Sequence, residues 1–130
     1  MLFRSVIYGF ETLGAASNTS TVYDGNNALT PKFAKISVSS SGDNTLVAAV
    51  PSKKIHVLQY NLLSNGGVNA KFQSGASGTD LTGLKYLVAN SGICAPFSPV
   101  GWFETAAGTL LNLNLSGAIA VGGELTYVEV

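Results

Sequence analysis

The sequence predicts an all-β fold: an antiparallel β-sandwich of the jelly-roll type, with about eight strands and an extended N-terminal arm. Short runs that alternate apolar and polar residues recur along the chain, and helix signals are scarce. Gly, Ser, Asn and Pro separate these runs at intervals of roughly eight to twelve residues, a spacing typical of sandwiches and barrels. The 130 residues are enough for one core and too few for two.

The first part of the predicted sandwich contains three strands. Residues 33–39 alternate apolar and polar side chains, and residues 45–50 follow after a turn. The second strand ends at Pro51, because proline cannot donate a hydrogen bond to a neighbouring strand. Residues 53–63 form the longest strand. Both of its faces hold apolar residues, so we expect it to lie centrally or to pack a partner on its second face.

The middle of the chain is predicted to begin with a β-hairpin. Its turn is the dipeptide at 65–66, Asn-Gly, which suits a type I′ turn, and its second strand is the alternating run 68–73. A flexible loop over 74–83 and a strand over 84–89 come next. Residues 90–101 contain two prolines and are predicted to form an ordered irregular loop.

The C-terminal part carries the sharpest alternation. After a short strand around 102–105, the run 109–116 places three leucines on one face and Asn112 and Asn114 on the other. We interpret the uncharged amide face as a subunit contact, with a plain solvent face as the alternative. Residues 118–130 are predicted as a short strand, a Gly-Gly turn and a last strand.

The N-terminal segment is predicted to form an arm. Residues 1–31 are interpreted as an arm that docks against another surface, and residues 32–130 as the sandwich domain. The alternative, an edge strand of the same domain, stays open. Glu11 and Thr12 interrupt the apolar start before a signal-peptide core is complete, and asparagines interrupt the most apolar late stretch. We therefore predict no membrane partner.

The charge composition favours assembly with other proteins. Seven Lys and Arg balance seven Asp and Glu, and charged residues make up only 11% of the chain, where about 25% is usual. A nucleic-acid partner is not expected, because binding phosphates needs an excess of basic side chains. A neutral surface with few charges tends to associate, and other subunits can cover it.

No residue pattern indicates an enzyme, a cofactor or a metal site. One Cys and one His cannot supply a disulfide framework or a zinc ligand set. We interpret His56 as an ordinary strand histidine and Cys94 as a buried structural thiol. The loop 78–83 lacks the alternating oxygen ligands of a calcium site. The remaining acidic candidates are scattered and select no catalytic pair: Asp24, Asp43, Asp80, Glu104, Glu124 and Glu129.

A resemblance supports the structural interpretation. It rests on three segments: residues 53–75 (KKIHVLQYNLLSNGGVNAKFQSG), the TDLTG loop at 79–83, and residues 92–130, which contain the motifs Pro-x-Gly-Trp-Phe-x-Thr and Leu-x-Tyr. These segments resemble small virion proteins of tailed bacteriophages. The resemblance covers about residues 33–130 and leaves the arm unmatched. It implies a jelly roll similar to the tumour-necrosis-factor type, commonly trimeric, and used as capsid cement or as a fibre or tail module. It implies no catalytic residues.

These observations predict a phage capsid cement or decoration protein, made in the host cytoplasm and bound to the outer capsid surface of the virion. Its expected partners are the major capsid protein and other copies of itself, as a homotrimer or alternatively a dimer. The predicted capsid or neighbour contacts lie in the arm, at Phe3, Val6, Ile7, Tyr8 and Phe10. The predicted self-association residues are Tyr60, Asn112, Asn114 and Tyr127.

A second hypothesis is a glycan- or receptor-binding tip module of a tail fibre. It predicts that Trp102 or Tyr86 is exposed beside acidic or amide side chains in a groove, because sugars stack on aromatic rings. The cement hypothesis predicts instead that another chain covers the apolar arm.

Overall fold

The computed structural model describes residues 22–130, and the regular secondary structure in this range is β-strand. None of these residues belongs to a helix long and apolar enough to cross a membrane. The strands are β1 (Val22–Asp24), β2 (Asn27–Leu29), β3 (Lys32–Val38), β4 (Gly42–Val47), β5 (Ile55–Ser64), β6 (Val68–Ser74), β7 (Thr79–Asp80), β8 (Lys85–Leu87), β9 (Gly92–Ala95), β10 (Phe103–Glu104), β11 (Leu111–Leu115) and β12 (Val121–Glu129).

The strands form two five-stranded sheets and a small hairpin. Sheet A has the order β9-β5-β12-β3, and β10 also pairs with β5. Sheet B has the order β4-β11-β6-β7, and β8 also pairs with β6. All pairings are antiparallel. The predicted all-β antiparallel sandwich is confirmed, and the central position expected for residues 53–63 is that of β5.

The core lies between the sheets and is formed by the alternating residues that the sequence predicts. Leu111 and Leu113 of β11 and Phe72 of β6 are fully buried. The ring of Phe72 contacts Tyr60 of β5 at a centroid distance of 4.9 Å and Phe103 of β10 at 4.7 Å. The two sheets are therefore joined by aromatic as well as aliphatic contacts.

The predicted hairpin turn at residues 65–66 is wrong. β5 belongs to sheet A and β6 to sheet B, so the segment between them is a crossover. Neither Asn65 nor Gly66 has the positive φ that a type I′ turn needs. The Asn65 N–H donates to the carbonyl of Ala120 at 2.9 Å instead. β12 occupies one side of β5 and β9 the other, which leaves β6 no position in that sheet.

The predicted Gly-Gly turn is also wrong, because Gly122 and Gly123 lie inside the continuous strand β12. Gly123 has φ +148°, and a Cβ there would collide with the backbone oxygen of Asn61 on β5. Gly122 has an ordinary φ, and a Cβ there would meet nothing closer than the Ile36 carbonyl at 3.8 Å. Glycine is required at position 123 by the close approach of β5, and position 122 can hold a side chain.

The N-terminal hairpin β1-β2 packs on the outer face of sheet A. Val22 forms a separate buried cluster with Leu58 and Val128. Leu58 follows the core residue Val57, so its side chain faces the outer side of sheet A, and a β-bulge in the β5-β12 pairing then returns Tyr60 to the core. The apolar second face of β5 thus packs a partner, as predicted. Residues 22–29 form a hairpin of their own and are neither an extended arm nor a strand of the two large sheets.

Candidate binding surfaces

Three of the four residues predicted for self-association are buried inside the chain. Tyr60 and Tyr127 belong to the main core, and Asn112 has no exposed surface. Only Asn114 is partly exposed. Tyr60, Asn112 and Tyr127 have little surface to offer a second copy, which corrects their assignment. The five arm residues predicted for capsid contact, Phe3, Val6, Ile7, Tyr8 and Phe10, lie outside the described residues.

Asn112 is the centre of a polar network on the outer face of sheet B. Its Oδ1 accepts from the Asn44 N–H at 2.7 Å, and its Nδ2 donates to Asp43 Oδ1 at 2.8 Å and to Gln73 Oε1 at 2.9 Å. Ser77, in the loop after β6, donates to Asp43 from both its N–H and its hydroxyl. Because β11 lies between β6 and β4, this loop passes over Asn112 and buries it.

Hydrogen bonds in this network lower the pKa values of two carboxyl groups. The Ser77 hydroxyl and N–H, followed by the Asn112 amide, hold the pKa of Asp43 below its ordinary value of 3.8. The Gln73 amide and the Lys71 ammonium do the same for the pKa of Asp80. Both groups therefore stabilise the fold as carboxylates, because donors favour the charged form.

His56 lies under the loop that joins β9 to β10. Its Nδ1 is 3.1 Å from Glu104 Oε1, and its Nε2 is 2.9 Å from the Val100 carbonyl oxygen. Both ring nitrogens thus face acceptors, and the ring can donate a hydrogen bond to either of them. Gly101 has φ +81°, and a Cβ there would collide with the imidazole. The geometry makes His56 a support for this loop, in keeping with the predicted ordinary strand histidine.

Glu104 links His56 to Lys54, whose Nζ is 3.2 Å from Glu104 Oε2. Burial opposes the charged form of Glu104, but the hydrogen bonds and charges of Lys54 and His56 outweigh it and lower the pKa of this carboxyl. The arrangement contains one histidine and one carboxylate. Within residues 22–130 no three His, Cys, Asp or Glu side chains gather closely enough to hold a metal ion.

Within residues 22–130, most of the large exposed apolar side chains lie in two places. The loop over His56, residues 96–102, presents Phe97, Val100 and Trp102, of which Val100 is 80% exposed. Trp102 is held by a hydrogen bond from its Nε1 to the Pro96 carbonyl at 2.8 Å. We call this segment the apolar loop. The sequence predicts an ordered loop over 90–101 and a short strand from Trp102, and the three large apolar residues in this segment are the signal that could have indicated a surface.

The second concentration is the edge of sheet B. Leu84, Tyr86 and Val88 follow one another at every second position, and all three are exposed, Tyr86 by 76%. Tyr86 lies on β8, which pairs only with β6 in the described part of the chain. Leu84 and Val88 flank this three-residue strand, and the three side chains together make an exposed apolar segment at the edge of the sheet. We call it the edge stripe.

Cys94 is exposed, so the prediction of a buried thiol is wrong. In β9, Ile93 and Ala95 pair with the core residues Leu62 and Tyr60, whereas Cys94 is opposite Asn61. The apolar neighbours that suggested burial lie on the other side of the strand, since successive side chains alternate between faces.

Two grooves of comparable size lie on the outer side of sheet A. The glycine groove, of about 550 Å³, runs over Gly122 and Gly123 between Ser37, Leu63 and Glu124. The hairpin groove, of about 520 Å³, lies between the β1-β2 hairpin, the apolar loop and the C-terminal end of β12. Trp102 and Tyr86 line neither groove, although both are exposed. The arrangement that the glycan-binding hypothesis predicted is not present in these two grooves.

Comparison with known proteins gives no family assignment. No family model matches the chain, and no curated protein matches it. One solved structure, from work on the disulfide-linked pili of Bacillus endospore appendages, aligns with 92% of this chain and 96% of that chain. Its TM-score is 0.49 and its sequence identity is 15%, which is too low to carry an argument about function.

Proposed function

We propose that this chain is a structural subunit that binds other proteins, and specifically a capsid cement protein of a tailed phage. The general part rests on one observation: large apolar side chains are exposed close together in two short segments, the edge stripe and the apolar loop, on a chain with zero net charge. Contiguous apolar surface of this kind marks protein interfaces. The specific part, a place on the outer capsid surface beside the major capsid protein, rests on the sequence resemblance.

The mechanism of a cement protein is burial of surface between neighbouring subunits. Apolar area removed from water contributes roughly 25 cal/mol per Å² before the cost of association. Many such contacts on one lattice add up as avidity. The proposal includes self-association as a trimer, with a dimer as the alternative, and assigns the chain no catalytic step and no cofactor.

The test is co-sedimentation of the full chain with capsids assembled without it. We expect saturable binding and a higher melting temperature of the loaded capsid. The variant Phe3→Ser/Ile7→Ser/Phe10→Ser tests the arm, and Tyr86→Ser/Val88→Ser tests the edge stripe. Each should weaken binding roughly tenfold or more, the equivalent of about 1.4 kcal/mol.

Phe33→Ser is the matched control, because Phe33 is as exposed as Tyr86 but lies on β3 of sheet A. Substitutions are preferable to a chain that starts at Thr30, since that truncation would also remove Val22 from its buried cluster with Leu58 and Val128. Failure of the full chain to bind capsids would contradict the proposal. Full binding by both the arm variant and the edge-stripe variant would contradict the assigned surfaces.

A further inference from the structure

The glycine groove combines open backbone with side chains that the fold does not use. Across sheet A, Ser37, Gly122, Leu63 and Gly92 stand side by side on four neighbouring strands. Leu63, 57% exposed, therefore stands between two positions without side chains. The result is uncovered sheet backbone at Gly122 beside the exposed apolar side chain of Leu63, and both line the groove.

Three side-chain amides, from Asn61, Asn65 and Asn90, surround this surface. The amides of Asn112 and Asn114 on sheet B bind neighbouring side chains. The three amides of the groove, in contrast, make no hydrogen bond within residues 22–130. Each can donate and accept at adjacent atoms, and Glu124 adds a carboxylate that accepts.

The charges around the groove select an uncharged ligand. Glu124 is opposite Lys35 in the β12-β3 register, so one negative and one positive side chain flank the same position. A phosphate or other anion would find one basic residue beside one acidic residue and no cluster of positive charge. A neutral ligand that carries many hydroxyl groups matches amides and a single carboxylate better, because adjacent hydroxyls donate and accept in the same way.

An added peptide strand does not fit this site. Peptides that bind by strand addition need a free strand edge, whereas Gly122 already pairs with Ser37 on one side and Leu63 on the other. Recognition in the groove must come from side chains above the face of the sheet. The volume of about 550 Å³ lies within the usual range of small-ligand sites.

We propose that the glycine groove binds an uncharged oligosaccharide. The hydroxyl groups would bond to Asn61, Asn65, Asn90 and Glu124, and an apolar sugar face would lie over Gly122 against Leu63. This site is separate from the edge stripe and the apolar loop, so it does not depend on the proposed cement function.

The test uses the full chain and three uncharged probes: maltotriose, cellotriose and triacetylchitotriose. The measurement is the NMR shift of the asparagine side-chain amides during titration up to about 20 mM, above the roughly millimolar Kd expected for an open groove. We expect at least one probe to shift the amides of Asn61, Asn65 and Asn90 in a saturable way and to leave that of Asn112 unchanged.

Gly122→Leu fills the groove without a backbone clash, and Gly117→Leu is its matched control, because a Cβ at Gly117 meets nothing within 4 Å. Gly122→Leu should weaken binding roughly tenfold or more, and Gly117→Leu should leave it unchanged. Thermal melting confirms that both variants fold. The proposal is overturned if no probe shifts these amides, if Gly122→Leu binds like the control, or if a capped trialanine peptide shifts the amides and the sugars do not.

Discussion

The outer faces of the two sheets both carry asparagines, and the fold uses them in opposite ways. On sheet B, Asn112 is fully buried and bonded to three neighbours under the loop that contains Ser77. On sheet A, Asn61, Asn65 and Asn90 border an open groove. The difference comes from what lies above each face: a loop bonded to Asp43 covers sheet B, whereas two glycines leave the backbone of sheet A exposed.

This contrast shows that the residue type alone does not determine whether an amide stabilises the fold or faces a ligand. A buried amide whose partners are all present contributes to stability, and removing it leaves those partners unsatisfied. An exposed amide contributes little to stability and can exchange water for a ligand. Substitutions on the two faces should therefore differ in their effects on stability and on binding.

The largest expected effect concerns the two glycines of the groove. Gly123→Ala should destabilise the fold by about 3 kcal/mol, because the new Cβ collides with the Asn61 oxygen at a φ that alanine rarely adopts. Gly122→Ala, one residue away, should be neutral or slightly stabilising. Urea denaturation of both variants measures the difference, and equal losses would show that the close approach of β5 is not the cause.

The next effect compares the two sets of asparagines. Asn112→Ala should cost about 2 to 3 kcal/mol, because it leaves the Asn44 N–H and the Gln73 side-chain Oε1 without their partner. Asn61→Ala should change the free energy of unfolding by less than about 0.5 kcal/mol, as is usual for surface positions. Similar losses of stability in the two variants would contradict the distinction between the covered asparagine of sheet B and the uncovered asparagines of sheet A.

A smaller effect is the pH dependence of stability that Asp43, on the outer face of sheet B, produces. The pKa of Asp43 is lowered in the folded chain, so its contribution is complete above its ordinary value of 3.8 and is lost as the pH falls through the lower folded value. The melting temperature of the native protein should therefore drop below about pH 4. Asp43→Asn and Ser77→Ala should each reduce this fall in melting temperature at low pH. An unchanged fall in both variants would contradict the role assigned to Asp43.

The smallest expected effect is at Cys94, and it tests whether this side chain of sheet A is exposed. Cys94→Ser should change stability by less than about 0.5 kcal/mol, because the side chain is exposed. In the native chain the thiol should react with a disulfide reagent at a rate within about tenfold of that in urea. Full protection of Cys94 in the native chain would show that something covers this part of the face.

The sequence predicted those parts of the fold that local patterns determine. The alternation in residues 68–73 and 109–116 identified β6 and β11, since a period of two follows from strand geometry. The turns at Asn65-Gly66 and Gly122-Gly123 were predicted from local propensity and proved wrong, because β12 and Asn61 impose tertiary requirements there. Such requirements come from strands far away in the sequence.

The candidate sites were less predictable than the strands. The Leu/Asn alternation correctly separated two faces, but nothing in residues 109–116 shows that the loop containing Ser77 returns to cover Asn112. The groove on sheet A is formed by residues from β3, β5, β12 and the segment before β9. A pair of glycines inside an apolar run is the one local signal that could have indicated it, since glycine in a strand often marks close approach of another group.

Hydrogen exchange of the asparagine side-chain amides in the full chain tests the contrast between the two faces most directly. NMR resolves these NH2 groups separately, so one sample reports on both sheets. We expect strong protection of Asn112 and exchange close to free-peptide rates at Asn61, Asn65 and Asn90. Protection of all four to the same degree, or rapid exchange at Asn112, would contradict this expectation.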